Sequence, residues 1–310
     1  MAADDRSERC AEQAGLRRDP MLGTAFPSSR LLLVEQPGPW GRAGLLESRF
    51  DRAVAHRLIA RLDPERIRVI AIRRPGRTMI GGPRRWAVVD CRPGRERLRW
   101  GRFVDDSELL GIDPRALLRD GPTPGSTEPP LEDDHAPLFA VCAHGTHDVC
   151  CALRGRPVAA ALAAVRPGRV WECSHVGGDR FAANVLVLPT GVLYGRVVES
   201  TAPALADAAD RGTVLEHQVR GRVGFAPAVQ AAMVHAHRER PGLAVSAVRP
   251  AGPVRWSAGL TVVRLDIAGE LADIAVRIGQ SPTQWLTCQA AKPSRATVYE
   301  PLSFDPVLRG

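Results

Sequence analysis

Apolar positions along the chain come in short runs closed by Pro, Gly or charge, which is the pattern of strands separated by turns. After a polar stretch over residues 1–28, read as a loose tail, RLLLVE (30–35) predicts a strand. An amphipathic stretch follows over residues 47–62. Strands are then predicted over 68–73 (RVIAIR), 86–90 (WAVVD) and 97–104. Strand, helix, strand in this order predicts an α/β unit with a parallel pair over residues 29–120, ending in a short helix at 113–119. GPTPGSTEPP (121–130), extended by acidic residues, predicts a linker over 121–135.

A second pattern begins at PLFAVC (137–142), a buried-type strand. An alanine-rich helix is predicted over 151–165 and closes at Pro167-Gly168. Strands follow at 169–173, 184–188 and 192–198, the last two joined by the hairpin signal Pro189-Thr190-Gly191, and a helix at 202–209. Strand, helix, strand, hairpin, helix over residues 136–216 is the order of a thioredoxin-like unit. Residues 217–310 read as a small α+β extension, with a helix at 226–238 and strands at 243–248, 260–267 and 274–278. The fold class is therefore mixed α/β. No internal repeat of fixed period is visible.

The 310 residues are 45% hydrophobic and 25% charged, enough for a real core. The net charge is +8, but Lys292 is the only lysine and the arginines are scattered without interleaved aromatics. That argues against nucleic acid and for a basic face that docks an acidic redox partner. No apolar run approaches the ~20 residues of a membrane span. The N-terminus MAADDRSERC carries no signal-peptide core. A cytoplasmic protein is expected, in which clustered cysteines read as metal-binding or catalytic before they read as disulfides.

Four of the seven cysteines (Cys142, Cys150, Cys151 and Cys173) fall in one short window with His144, His147 and His175. Thiolates beside imidazoles suit Zn²⁺ or an iron–sulfur centre. Cys142 ends a strand and Cys151 opens a helix, whose N-terminal N–H groups and partial positive charge favour a thiolate or a sulfide-bearing core. If the strand persists, Cys173 and His175 share a face, and Gly177-Gly178 lets backbone pass close to a bulky cofactor. His144 and His147 read as loop-structuring groups, Cys150 as a spare ligand, and Cys10, Cys91 and Cys288 as incidental.

CAHGTHDVCCALRGRPVAAAL (142–162) and WECSHVGGDRFAANVLVLPTGVLYGR (171–196) resemble the sucrase/ferredoxin-like family, as do VEQPGPWGRAGLLESRFD (34–51) and IRRPGR (72–77). The resemblance implies a thioredoxin-like [2Fe–2S] ferredoxin domain ligated by two cysteines and two histidines. The cysteines match Cys142 and Cys151, and the first histidine of the family's HxGGH motif matches His175. The second falls on Asp179, which leaves two candidates for the fourth ligand. Cys173 is the softer and is the expected one; Asp179 competes with it. The first 120 residues are read as a second, degenerate thioredoxin-like half that shields the cluster.

The expected activity is electron transfer rather than catalysis. No carboxylate pair is arranged for glycoside hydrolysis, so no sucrase activity is expected. A structural zinc protein with the same residues is the alternative. A thiol oxidoreductase ranks last, since no C-x-x-C opens the helix.

Overall fold

In the computed structural model, which describes residues 9–76, 81–113 and 131–307, RLLLVE forms strand β1 (Arg30–Glu35), with its four central residues buried. The helix Arg52–Leu62 follows, its first turn capped by the Asp51 carboxylate, which accepts the Val54 N–H at 2.8 Å. The chain returns as β2 (Ile67–Arg73), parallel to β1, then β3 (Arg84–Asp90), antiparallel to β1, and β4 (Arg97–Phe103), antiparallel to β3. A two-residue β5 (Glu132–Asp133) adds to β4.

The same connection is then made again. Strand β6 (Leu138–Cys142) leads into the helix Val149–Val165 and back to a parallel β7 (Val170–Cys173). β8 (Val185–Leu188) runs antiparallel to β6, and β9 (Val192–Tyr194) antiparallel to β8. The helix Ala202–Asp210 and a strand β10 (Val219–Arg222) on the β9 edge complete this part. The two sets join through β2 and β7, which pair antiparallel at Ile72↔Cys173 and Arg73↔Glu172. One ten-stranded sheet results, in the order β10-β9-β8-β6-β7-β2-β1-β3-β4-β5. Its two outer sets, β4-β3-β1-β2 and β9-β8-β6-β7, mirror each other in order, and they meet at the C-terminal ends of β2 and β7.

Alternation along the strands builds the core on both faces. Leu31 and Leu33 share one cluster with Leu138, Ala140 and Cys142. Leu32 and Val34 point the other way into the layer that contains Val54 and Leu58 of the helix Arg52–Leu62. Phe139 and Val141 do the same towards Val158 and Leu162 of the helix Val149–Val165.

A second sheet follows the helix Pro227–Glu239: β11 (Val248–Pro250), β13 (Leu260–Ile267), β14 (Glu270–Gln280) and β15 (Thr297–Pro301), with β12 (Arg255–Ser257) on β13 and β16 (Asp305–Pro306) on β14. β13 buries every second residue, and the helix lies on that face.

Three expectations change. Residues 10–16, read as part of a loose tail, form the helix Cys10–Leu16 with Cys10, Ala11 and Ala14 buried; its apolar face is too short and its residues too small to show a period. Residues 243–248 give a 3-10 turn (Val245–Ala247) before the short β11. The strand at 192–198 stops at Tyr194, and Arg196 takes a positive φ of 54°. The helix expected at 113–119 and most of the linker at 121–135 lie outside the described residues. Among the described residues no helix is long and apolar enough to cross a membrane.

Candidate metal centre

The C-terminal end of β6 and the start of the helix Val149–Val165 bring Cys142 and Cys151 together. Two local features place them. Asp148 caps the helix, accepting the Cys150 N–H at 2.9 Å. Gly155, one turn beyond Cys151, lies on the Cys142 carbonyl so closely that a Cβ there would sit 2.0 Å from the oxygen. The missing side chain lets helix and strand end approach. His175 enters from the loop after β7, and its ligand nitrogen and the two sulfurs all lie within 4.8 Å of one another. Cys142, Cys151 and Asp179 are buried, while the His175 side chain is 21% exposed and forms the open edge.

Asp179 closes the group. Its Oδ1 is 3.2 Å from the Cys151 sulfur, which donates to it, and 3.0 Å from His175 Nδ1. His175 Nδ1 is buried, and this carboxylate is its ion-pair partner. His147 stacks on His175 with ring centroids 3.8 Å apart, and its own ligand atom falls within 4.8 Å of those of His175 and Asp179.

Cys173 is not a member of the group. β7 ends at Cys173: Ser174 still donates its N–H to Ala71 O, but the Ala71 N–H goes to the Ser174 hydroxyl rather than to its carbonyl. The strand does not persist to His175, and the shared face expected for Cys173 and His175 is lost. Cys173 stands in register with Cys142 on the neighbouring strand, in the same buried cluster as Cys142 and Cys151 but outside the group whose ligand atoms converge.

The charges in the cluster are coupled. The contact with Cys151 and the nearby His175 hold the Cys142 thiol well below its ordinary range despite burial. The same contact with Cys142, together with burial and the Asp179 carboxylate, pushes Cys151 up. Burial alone would lower His175, but Asp179 and Cys142 more than offset it and raise the ring to about 9. Burial opposes ionisation of Asp179, yet His175 and Cys151 keep its carboxyl below the usual range.

His144 is a strut rather than a ligand. Its Nδ1 accepts the His175 N–H at 3.1 Å, and its Nε2 lies 2.7 Å from Gly41 O, so a neutral ring protonated on Nε2 satisfies both contacts. Neither nitrogen is left for a metal. Thr146 donates to Trp40 O at 2.6 Å, and the Trp40 ring meets His144 edge-on. The loop after β1 thus covers the loop after β6, and the first half of the chain roofs the cluster.

At Gly177 an added Cβ would meet nothing within 4 Å, whereas the space at Gly178 is filled from within the protein. Gly177 and Gly178 take φ of +83° and +76°, and a Cβ at Gly178 would lie 2.4 Å from Arg220 Nη2. What passes close is the Arg220 guanidinium. It is 1% exposed and donates to Gly177 O, Asn184 Oδ1, Thr24 O and Thr24 Oγ1. Burial lowers it, to about 9, so it remains a cation at neutral pH beside Cys142, Asp179 and Cys151. No motif flags Arg220 in the sequence; only its position next to the Gly-Gly turn in space reveals it.

The family profile described as Sucrase/ferredoxin-like matches residues 22–221, close to two-thirds of the chain. Searches of curated proteins and of solved structures return no match.

Proposed function

The chain belongs to the sucrase/ferredoxin-like family, and from that premise we propose that it is a thioredoxin-like [2Fe–2S] electron-transfer protein whose cluster is held by Cys142, Cys151, His175 and Asp179. One observation carries the reading: two buried sulfurs and an imidazole nitrogen converge within 4.8 Å, with the Asp179 carboxylate against both Cys151 and His175. Thiolate and imidazole together are the donor set such a cluster takes. Asp179 fits the fourth place better than Cys173, because it touches both Cys151 and His175. The strand order β7-β6-β8-β9, with β6 and β7 parallel and a helix between them, supports the thioredoxin-like assignment.

A bound cluster would supply one-electron acceptance and release. The protein's own part is to hold and insulate it. Cys142, Cys151 and Asp179 exclude water from the inner side, and the loop at Trp40 covers the top. Arg220 offsets anionic charge in the interior, where an unpaired charge is costly. His175 and His147 form the only partly open edge of the group, so electrons exchange with a redox partner there. Imidazole in place of thiolate makes the cluster less anionic and raises its potential relative to an all-cysteine ferredoxin.

Anaerobic purification followed by iron and acid-labile sulfide analysis tests this. Equal iron and sulfide, with visible absorption bleached by dithionite, is expected, and Cys142→Ser and Cys151→Ser should lose all three. A colourless protein that carries zinc at these residues would replace the reading with a structural zinc site.

A further inference from the structure

Three cysteines from opposite ends and the middle of the chain meet at a second place. Cys10 lies in the helix Cys10–Leu16, Cys150 in the first turn of the helix Val149–Val165, and Cys288 in the loop between β14 and β15. Their sulfurs form a triangle with edges of 3.7 Å (Cys10–Cys150), 3.4 Å (Cys150–Cys288) and 3.4 Å (Cys10–Cys288). Asp148 closes the group, its two carboxylate oxygens 3.8 and 3.7 Å from the Cys10 sulfur. We infer that Cys10, Cys150 and Cys288, with Asp148, form a second, mononuclear site for a thiophilic divalent cation of the zinc class.

The distances decide between a metal and a disulfide. A disulfide needs sulfurs about 2.05 Å apart, and all three cysteines are free. Around tetrahedral zinc with Zn–S of about 2.3 Å, neighbouring sulfurs stand about 3.8 Å apart and a sulfur and a carboxylate oxygen about 3.6 Å. The observed edges lie within a few tenths of an ångström of those values. The carboxylate is also pre-set. Asp148 Oδ1 accepts the Cys150 N–H and Oδ2 accepts the Cys288 N–H at 2.8 Å, which fixes its orientation and leaves each oxygen a second lone pair. Cys10, Cys150 and Asp148 are buried, and Cys288 stands at the exposed side, which gives a cation its entry. Binding would displace the thiol protons to solvent.

The site is separate from the first. Cys150 and Cys151 are consecutive on one helix and so point about 100° apart, Cys151 towards Cys142 and Cys150 towards Cys10. Cys10 and Cys288 both lie outside the family-matched residues 22–221. The bound cation would tie both flanking segments to the first turn of the helix that presents Cys151.

The test uses the full chain with Zn²⁺ and, as a spectroscopic probe, Co²⁺. About one zinc per chain is expected, and it should disappear in Cys10→Ser/Cys288→Ser while iron, sulfide and the visible spectrum persist. Co²⁺ added to the wild type should produce thiolate-to-cobalt charge-transfer bands that the variant lacks. Retained iron in the variant reports that it has folded; should it fail to fold, the single variant at exposed Cys288 and the wild-type cobalt titration carry the test. Cys142→Ser/Cys151→Ser should lose iron yet keep the zinc, which separates this site from the first. Unchanged zinc in the variant, no cobalt bands in the wild type, or a Cys10–Cys288 disulfide in anaerobically purified protein would each overturn the inference.

Discussion

Gly155→Ala sets two physical effects against each other. In a helix interior Ala is favoured over Gly by about 1 kcal/mol, so propensity alone predicts a slightly more stable protein. The contact says otherwise. The added Cβ would stand 2.0 Å from the Cys142 carbonyl oxygen and 3.1 Å from its carbonyl carbon, where 3.4 Å is the near limit of ordinary contact. The obstacle is backbone of a fully buried strand, so it cannot rotate away. The helix must retreat by about 1.4 Å, several times the ±0.2 Å tolerance of a metal–ligand bond. Cys151 sits one turn away on the same face and moves with it. Gly155→Ala should therefore purify with well under half the wild-type iron and sulfide. Its urea midpoint should fall as well, since overpacking of this kind typically costs 1–3 kcal/mol. Iron analysis and equilibrium unfolding on the same preparation read both effects. Full iron with an unchanged or raised midpoint would refute the claim that this close approach positions Cys151.

Asp179→Asn should weaken cluster retention or shift its potential, while Cys173→Ser should leave iron content near wild type; the reverse pattern, read by iron analysis, returns the fourth ligand to Cys173. His144→Ala should destabilise the chain by about 2–3 kcal/mol in urea unfolding, since it leaves the His175 N–H and the Gly41 carbonyl without their partner. His237 gives a pH dependence. Burial lowers it to about 4, below the ~6.5 of an unfolded histidine, so the unfolded chain binds the extra proton and stability is lost as pH falls from about 6.5 towards 4. His237→Leu should flatten that part of the stability–pH curve by up to about 3 kcal/mol, and an unflattened curve would show that the ring titrates normally.

The centre of the site was legible because its members sit at element ends with strong local signals. PLFAVC announces a strand that delivers Cys142, Asp148 is a natural helix cap just before Cys151, and the Gly-Gly turn after His175 marks a sharp return of the chain. Cys173 misled because strand alternation holds only while the strand lasts, and Ser174 ends it. The junction of the two halves was not legible. β2 and β7 meet at only two residue pairs, both at strand ends, and nothing local in IRVIAIR or VWEC specifies such a partner. The repeated strand order is the second half expected over the first 120 residues, legible from the order of connections rather than from repeated residues. Cys10, Cys150 and Cys288 read as incidental or spare because side chains 278 residues apart share no spacing rule, and Arg220 because a buried guanidinium has the same letter as an exposed one.

Nitrogen-resolved electron paramagnetic resonance of the dithionite-reduced protein bears most directly on the proposed centre. A spin-½ signal coupled to one imidazole nitrogen is expected, with His175→Ala abolishing that coupling. A reduced protein that is silent, or whose signal couples to no nitrogen, would contradict the proposed centre.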